Sequence, residues 1–192
     1  MIKKNERGWT LVDKTLIILK PHAVVRKLTG RILARFEDAG LAIAELKTLH
    51  GSPDLWRQFY PSDEGWFKNV GTKTLTSCRE IGIDVEAEIG TSDPIAIGKK
   101  VKDWLVGHMS SGPCVAAILE GNEAPRKVRK LCGATLPNVA DPGTIRFDFS
   151  CDSPALANRE KRPVFNLIHA SDPDEENSIV REIGLIFGPS AK

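Results

Sequence analysis

TLIILKP, residues 15–21, sets an unbroken apolar run against a lysine and a proline. The run is short and rich in β-branched residues, so it reads as a buried strand, and Pro21 suits the first turn of a helix. Lys20 is thereby left at a strand end. Outward from it the pattern repeats. Ile32, Leu33 and Phe36 recur at helical spacing within 29–39, and Gly40 stops that helix. LAIAELKTLH, 41–50, alternates apolar and polar residues in its first half, as a strand does. PCVAAILE, 113–120, is another buried strand, followed by a short helix over 124–131 that Gly133 ends. VFNLIHA, 164–170, is the last strand, and the acidic DPDEENSIVREIG after it reads as a helix start, because carboxylates suit the positive end of the helix dipole.

Two stretches interrupt this alternation. Pro53, Pro61, Gly65, Gly71, Gly82, Gly90 and Pro94 cut 51–94 into what reads as helical turns and loops. A helix over 94–108 follows, with Ile97, Val101, Trp104 and Leu105 on one face. Residues 134–165, rich in Pro, Asp and Asn, read as an irregular excursion, of a length that is functional when ordered. The order of elements predicts an α+β, ferredoxin-like (split βαβ) fold: a four-stranded antiparallel sheet with helices packed on one face, in a single domain over 1–192.

Composition narrows the function. With 41% hydrophobic and 27% charged residues, the 192-residue chain reads as an ordinary globular protein. A net charge of +2 and the absence of any basic run argue against nucleic-acid binding. MIKKNERGWT at the amino terminus lacks an apolar signal core, and no stretch approaches about 18 apolar residues, which predicts a cytoplasmic protein without a membrane span. Cys78, Cys114, Cys132 and Cys151 show neither CxxC nor metal-ligand spacing and read as reduced structural thiols.

Gly98-Lys99-Lys100 is no phosphate loop, since Asp93 and Lys100 stand where Walker A needs glycine and Ser or Thr. His169, Ser171 and Asp172 are the residue types of a hydrolase triad, but adjacent in sequence they cannot face one another. A lone histidine ending an apolar strand is usually packed and hydrogen-bonded. Here it keeps company with Lys20, Arg129, Arg146, Asn166 and Glu182, and a neutral imidazole can attack phosphorus when cations surround the phosphates.

Seven motifs then stand in one order: Lys20-Pro21; Ser111-Gly112-Pro113; Glu120-Gly121; Arg129 ahead of Gly133 and Thr135; Pro142-Gly143-Thr144-Ile145-Arg146; Asn166-Leu167-Ile168-His169-Ala170-Ser171-Asp172; and Glu182-Ile183-Gly184-Leu185. In this register they resemble the nucleoside diphosphate kinases, over roughly 12–60 and 97–187. The resemblance implies a ping-pong transfer of the γ-phosphoryl of ATP to His169 and then to a nucleoside diphosphate, with Mg²⁺. It implies that Glu182, with Ser171, holds the other ring nitrogen of His169, that Tyr60 lies beside the histidine, and that Lys20 reaches phosphates and sugar. Arg129, Thr135 and Arg146 fall on phosphate ligands, Asn166 on the sugar ligand, and Val101 on the position of the base clamp. Asp172 is either a water-mediated Mg²⁺ ligand or a helix N-cap.

The chain departs from the family pattern at four places. His22 follows the Lys-Pro pair where an acidic residue is usual. Val101 replaces an aromatic, leaving stacking to Phe67 or Trp104, with purines and pyrimidines expected to be used alike. Insertions at about 61–96 and 150–163 lengthen the chain, the second in a loop that in the family lies beside the nucleotide and packs between subunits, so a homo-oligomer is expected. A non-catalytic nucleotide- or protein-binding member would have lost the histidine, the lysine or the arginines, and this chain keeps all of them.

Overall fold

The computed structural model describes residues 2–5, 8–11, 13–80, 82–174 and 177–188, with side chains described from Asp13 onward. A hairpin of β1 (Ile2–Asn5) and β2 (Gly8–Leu11), unmarked by the sequence pattern, comes first. Then follow β3 (Asp13–Leu19), α1 (Pro21–Val25), α2 (Thr29–Asp38) and β4 (Ala42–Leu49). The helices α3 (Pro53–Phe59), α4 (Glu64–Glu80), α5 (Val85–Ile89) and α6 (Pro94–Ser110) precede β5 (Cys114–Gly121) and α7 (Ala124–Cys132). A 3-10 turn at Pro137–Val139 and the short α8 (Ile145–Phe149) and α9 (Pro154–Arg159) lead into β6 (Ile168–Ala170) and α10 (Ser178–Phe187).

Strands β4, β5, β3 and β6 form, in that order, an antiparallel sheet of four. This is the ferredoxin-like arrangement, with the first and third strands of the motif at its centre. The helices, however, cover both faces and not one. Alternate residues of a strand point to opposite sides. Ile17, Leu19, Ala117 and Leu119 therefore join Ile32, Phe36 and Val128 of α2 and α7 on one side, while Leu16, Ile18, Ala116 and Ile118 meet Trp56, Phe59, Met109 and Ile186 on the other. Burial on both faces is why β3 and β5 lack a polar alternation. Each large side chain so enclosed contributes roughly 1.5–3 kcal/mol.

The stretch read as turns and loops contains a 17-residue helix, α4. Its glycines looked like breakers, yet Gly71 is a contact point: a Cβ there would lie 1.8 Å from the Pro94 carbonyl oxygen, and one on Gly98 of α6 would lie 2.1 Å from that of Phe67. Backbone meets backbone at this crossing, which only glycine permits. Cys78, Val85, Ile89 and Ile97 close a small separate core behind it. The 134–165 excursion also holds helices, α8 and α9, begun by Thr144 and Ser153, whose hydroxyls accept from Phe147 and Leu156 N–H.

The last strand is shorter than VFNLIHA suggests, because Leu167 takes φ +70°. A bond of 2.8 Å from Ile168 N–H to the Asn166 carbonyl closes a three-residue turn there. Helix α10 starts at Ser178 with Asn177 at its N-cap, later than the acidic stretch implied, and Glu175 and Glu176 of that stretch lie outside the described residues.

Candidate active site

Strand alternation puts His169 on the sheet face opposite to Ile168 and Ala170, with its ring edge-on to Phe59 at 4.9 Å between centroids. Helix α10 returns across that face and brings Glu182 to it. His169 Nε2 lies 2.8 Å from Glu182 Oε2, and Ser171 Oγ donates to the same oxygen at 2.5 Å. Burial alone would push the Glu182 carboxyl up, but His169, Ser171 and Arg181 together hold it below its ordinary value. An ionised Glu182 accepts a hydrogen bond from Nε2–H, which leaves the Nδ1 lone pair free, and Nδ1 has no partner among the described residues.

Cations converge from strand and helix ends. Lys20, 6% exposed at the end of β3, donates to Asn166 Oδ1 at 2.7 Å. Burial, then the neighbouring Arg146, brings its pKa down to about 7, with Cys114 opposing. Asn166 gives its amide hydrogens to the Thr135 carbonyl at 3.0 Å, which ties the excursion to the strand end. Arg146 is buried in α8, and its guanidinium donates to the carbonyls of Asn166, Gly133 and Ile168 at 3.3, 2.7 and 2.8 Å. Its guanidinium thus ties the end of α7 to the turn that precedes β6. Arg129 of α7, more open, donates to Asp172 Oδ2 at 3.2 Å and to the Ala170 carbonyl at 3.4 Å.

Lys20, Arg129, Thr135, Arg146, Asn166, His169, Asp172 and Glu182 line one cavity of about 680 Å³. Tyr60 borders it with a buried hydroxyl that has no hydrogen-bond partner in the described structure, the kind of orphan that a ligand or water satisfies. Burial, with Cys114 and Glu182 nearby, raises its pKa. Val101 and Trp104 line the cavity and Phe67 does not, so of the two rings considered for stacking only Trp104 is in place. Sequence reasoning missed the opposite wall, made by Trp66, Val70, Lys73 and Ser77 of α4 and by Asn158 of α9. Their signal was the helical spacing of Trp66, Val70 and Ser77, hidden by Gly65 and Gly71. The α4 and α9 segments touch directly, through Asn158 Nδ2 at 3.1 Å from Cys78 Sγ.

Asp172 is not the N-cap of α10, a place held by Asn177. Its carboxylate accepts from Asp174 N–H at 3.1 Å and from Arg129, and its carbonyl accepts from Ser178 Oγ at 2.6 Å. Among the described residues no group of three His, Cys, Asp or Glu side chains could hold a metal ion. The four thiols are free, with only Cys151 exposed. No described helix is long and apolar enough to cross a membrane.

The nucleoside diphosphate kinase family model matches residues 13–79 and 96–191. The nucleoside diphosphate kinase of Pyrobaculum aerophilum is 53% identical over 92% of this chain and 95% of its own length. The crystal structure of an NDP kinase from Pyrobaculum aerophilum superposes with a TM-score of 0.87 at 50% identity, over 92% of this chain and 96% of the other. A nucleoside-diphosphate kinase from Borrelia burgdorferi, a transition-state mimic with bound vanadate and ADP, superposes with a TM-score of 0.70 at 34% identity, over 92% and 88%.

Proposed function

The chain belongs to the nucleoside diphosphate kinase family, and from that premise we propose how its residues divide the work of moving a γ-phosphoryl group from ATP to a nucleoside diphosphate. The observation that supports the assignment is the Ser171–Glu182–His169 chain, which pins Nε2 and leaves Nδ1 unpartnered in a residue that shares its cavity with Lys20, Arg129 and Arg146. In the first half-reaction Nδ1 forms a bond to the γ-phosphorus as the bond to the bridging oxygen breaks and the diphosphate leaves. An acceptor diphosphate oxygen reverses the step. The imidazole gains positive charge as it attacks, and ionised Glu182 stabilises that charge through Nε2–H.

Lys20 and Arg129 counter the phosphate charge, which is where most of the barrier to phosphoryl transfer is lowered. Arg146 adds its charge while it shapes the Asn166–Ile168 backbone. Asn166 and Lys20 reach the sugar hydroxyls, Thr135 the phosphates, and Tyr60 offers its orphan hydroxyl to the ligand. Asp172 would hold Mg²⁺ through water, and the ion would supply neutralisation of part of the charge on the nucleotide phosphates. One carboxylate already shared with Arg129 suits such a phosphate-borne ion and not an ion caged by protein.

At the other end the base enters between Val101 and Trp104 on one side and α4 on the other. We read 61–96 and 150–163 as insertions in a single domain over 1–192, and four free thiols suit a cytoplasmic protein. Assembly into a homo-oligomer is supported by β4, an edge strand with Leu46 52% exposed. Light scattering showing a monomer at micromolar concentration contradicts that part alone. The mechanism is tested by incubating the protein with γ-labelled ATP and no acceptor: label that is acid-labile, alkali-stable and located on His169 supports it, and unlabelled protein overturns it.

A further inference from the structure

Leu167 is fully buried, and its backbone takes φ +70° immediately between Asn166 and the β6 strand that carries His169. Positive φ on a leucine is costly and persists only where surrounding bonds enforce it. Two bonds grip this peptide. The Leu167 carbonyl accepts from Lys20 N–H at 2.9 Å, and Leu167 N–H donates to His22 Nε2 at 2.9 Å. His22 follows Lys20-Pro21 at the start of α1, so both grips come from one short segment.

Accepting at Nε2 decides the state of the ring. A neutral imidazole has one donor and one acceptor, so Nδ1 of His22 carries the hydrogen. That hydrogen points at His108 Nε2, 2.8 Å away at the last turn of α6, and His108 must therefore be the Nδ1–H tautomer. Phe165 stacks on His22 with ring centroids 4.6 Å apart, and the Arg162 guanidinium lies 4.0 Å over the Phe165 ring. Burial foremost, then Lys20, His108 and Arg26 against Asp152, lowers the pKa of His22 to about 3, and burial, Lys20 and Arg162 lower that of His108 to about 4. Both rings are thus neutral at physiological pH, as the chain of bonds needs.

We propose that His22 is a positioning residue for nucleotide binding: its Nε2 holds the Leu167 turn, and with it the Asn166 side chain, while His108 selects the tautomer that lets it do so. The role rests on the kinase reading for the identity of the ligand. A carboxylate at this position could accept the same bond but would bring a buried charge beside Lys20; a neutral histidine pair accepts it without that charge.

Two substitutions of similar polarity separate the possibilities, because a glutamine amide reaches the place of Nε2 and an asparagine amide reaches only that of Nδ1. His22→Asn is expected to weaken ADP binding about tenfold by calorimetry, the scale of one lost buried hydrogen bond, with kcat within about threefold. His22→Gln is expected to bind ADP within about threefold of the wild type, with both variants folded at the assay temperature by circular dichroism. Nitrogen-15 spectra of the wild type are expected to show both rings as Nδ1–H tautomers at pH 7. Equal ADP affinity for the Asn and Gln variants overturns the proposal, as does an Nε2–H signal for His22. The wild-type phosphohistidine label is measured on the same preparation, so its absence condemns the kinase mechanism while ADP affinity still decides the role of His22.

Discussion

The two ends of the cavity are built on different principles. At the histidine end the groups stand near the ends of strands or on helices beside them, and nearly every polar atom is spoken for: Lys20 by Asn166, Arg146 by three carbonyls, Glu182 by His169 and Ser171. At the other end the wall is α4, held to α6 by a crossing of two glycines and to α9 by an amide–thiol contact. Rigid placement at the first end suits chemistry that depends on sub-ångström approach to phosphorus. The second end, where the proposed mode puts the base, offers Trp66 and Val70 beside Lys73, Ser77 and Asn158. If that mode holds, the difference teaches that one cavity can be exacting about phosphates and permissive about bases.

The largest test of that contrast is His169→Ala. It removes the only side chain proposed to carry the phosphoryl, so covalent label and turnover should vanish, while ADP binding by calorimetry stays within about threefold because the cations and Asn166 remain. Glu182→Gln keeps a hydrogen-bonding neighbour and loses its charge. Rapid-quench assays should show kcat reduced about 10–100-fold with the phosphoenzyme still formed.

Lys20 supplies the next effect. With a pKa of about 7 in the free protein, it gains a proton when phosphates favour its charged form. Below pH 7 the lysine is already charged and affinity is flat. Above it, binding takes up a proton and weakens by up to about tenfold per pH unit until the raised pKa of the complex is reached. Calorimetry at pH 8 in buffers of different ionisation enthalpy should detect that uptake, and Lys20→Met should abolish it.

Smaller changes belong to the helical wall. Gly98→Ala places a methyl group where the Phe67 carbonyl lies, so α4 must shift. The cost is about 1–3 kcal/mol by thermal unfolding. KM for nucleotides should rise several-fold while the His169 label still forms, which would show that the wall is separable from the chemistry. Trp104→Ala should weaken purine use by the worth of one stacking contact, about 0.5–1.5 kcal/mol, and pyrimidine use by less. In the wild type, a purine preference beyond about a hundredfold in kcat/KM would erase the contrast between the two ends.

These effects also divide what was legible in the sequence. Lys20, Arg129, Arg146, Asn166, His169, Ser171 and Glu182 all stand in the seven motifs, and the fold brings them together, six lining one cavity and Ser171 bonded to Glu182. They are legible because each belongs to a short local motif whose order along the chain is fixed. Arg146 was legible in place but not in partners: nothing in Gly-Thr-Ile-Arg says that its guanidinium will hold three backbone carbonyls. His22 was visible only as a departure, and its bond to Leu167, 145 positions away, has no local trace.

By itself, then, the sequence determined the four-stranded sheet, the helices that the periodicity marks and the residues of the histidine end, since apolar period, proline and glycine act on neighbours along the chain. Tertiary structure alone decided that α4 is a continuous helix, that its glycines are points of backbone contact, that the last strand bends at Leu167, and that two segments distant in sequence meet to wall the cavity. The physical reason is range. A glycine within a helical pattern weakens it by roughly 1 kcal/mol wherever it stands, and only a second helix arriving at the same place, with its own glycine turned inward, can make that loss favourable.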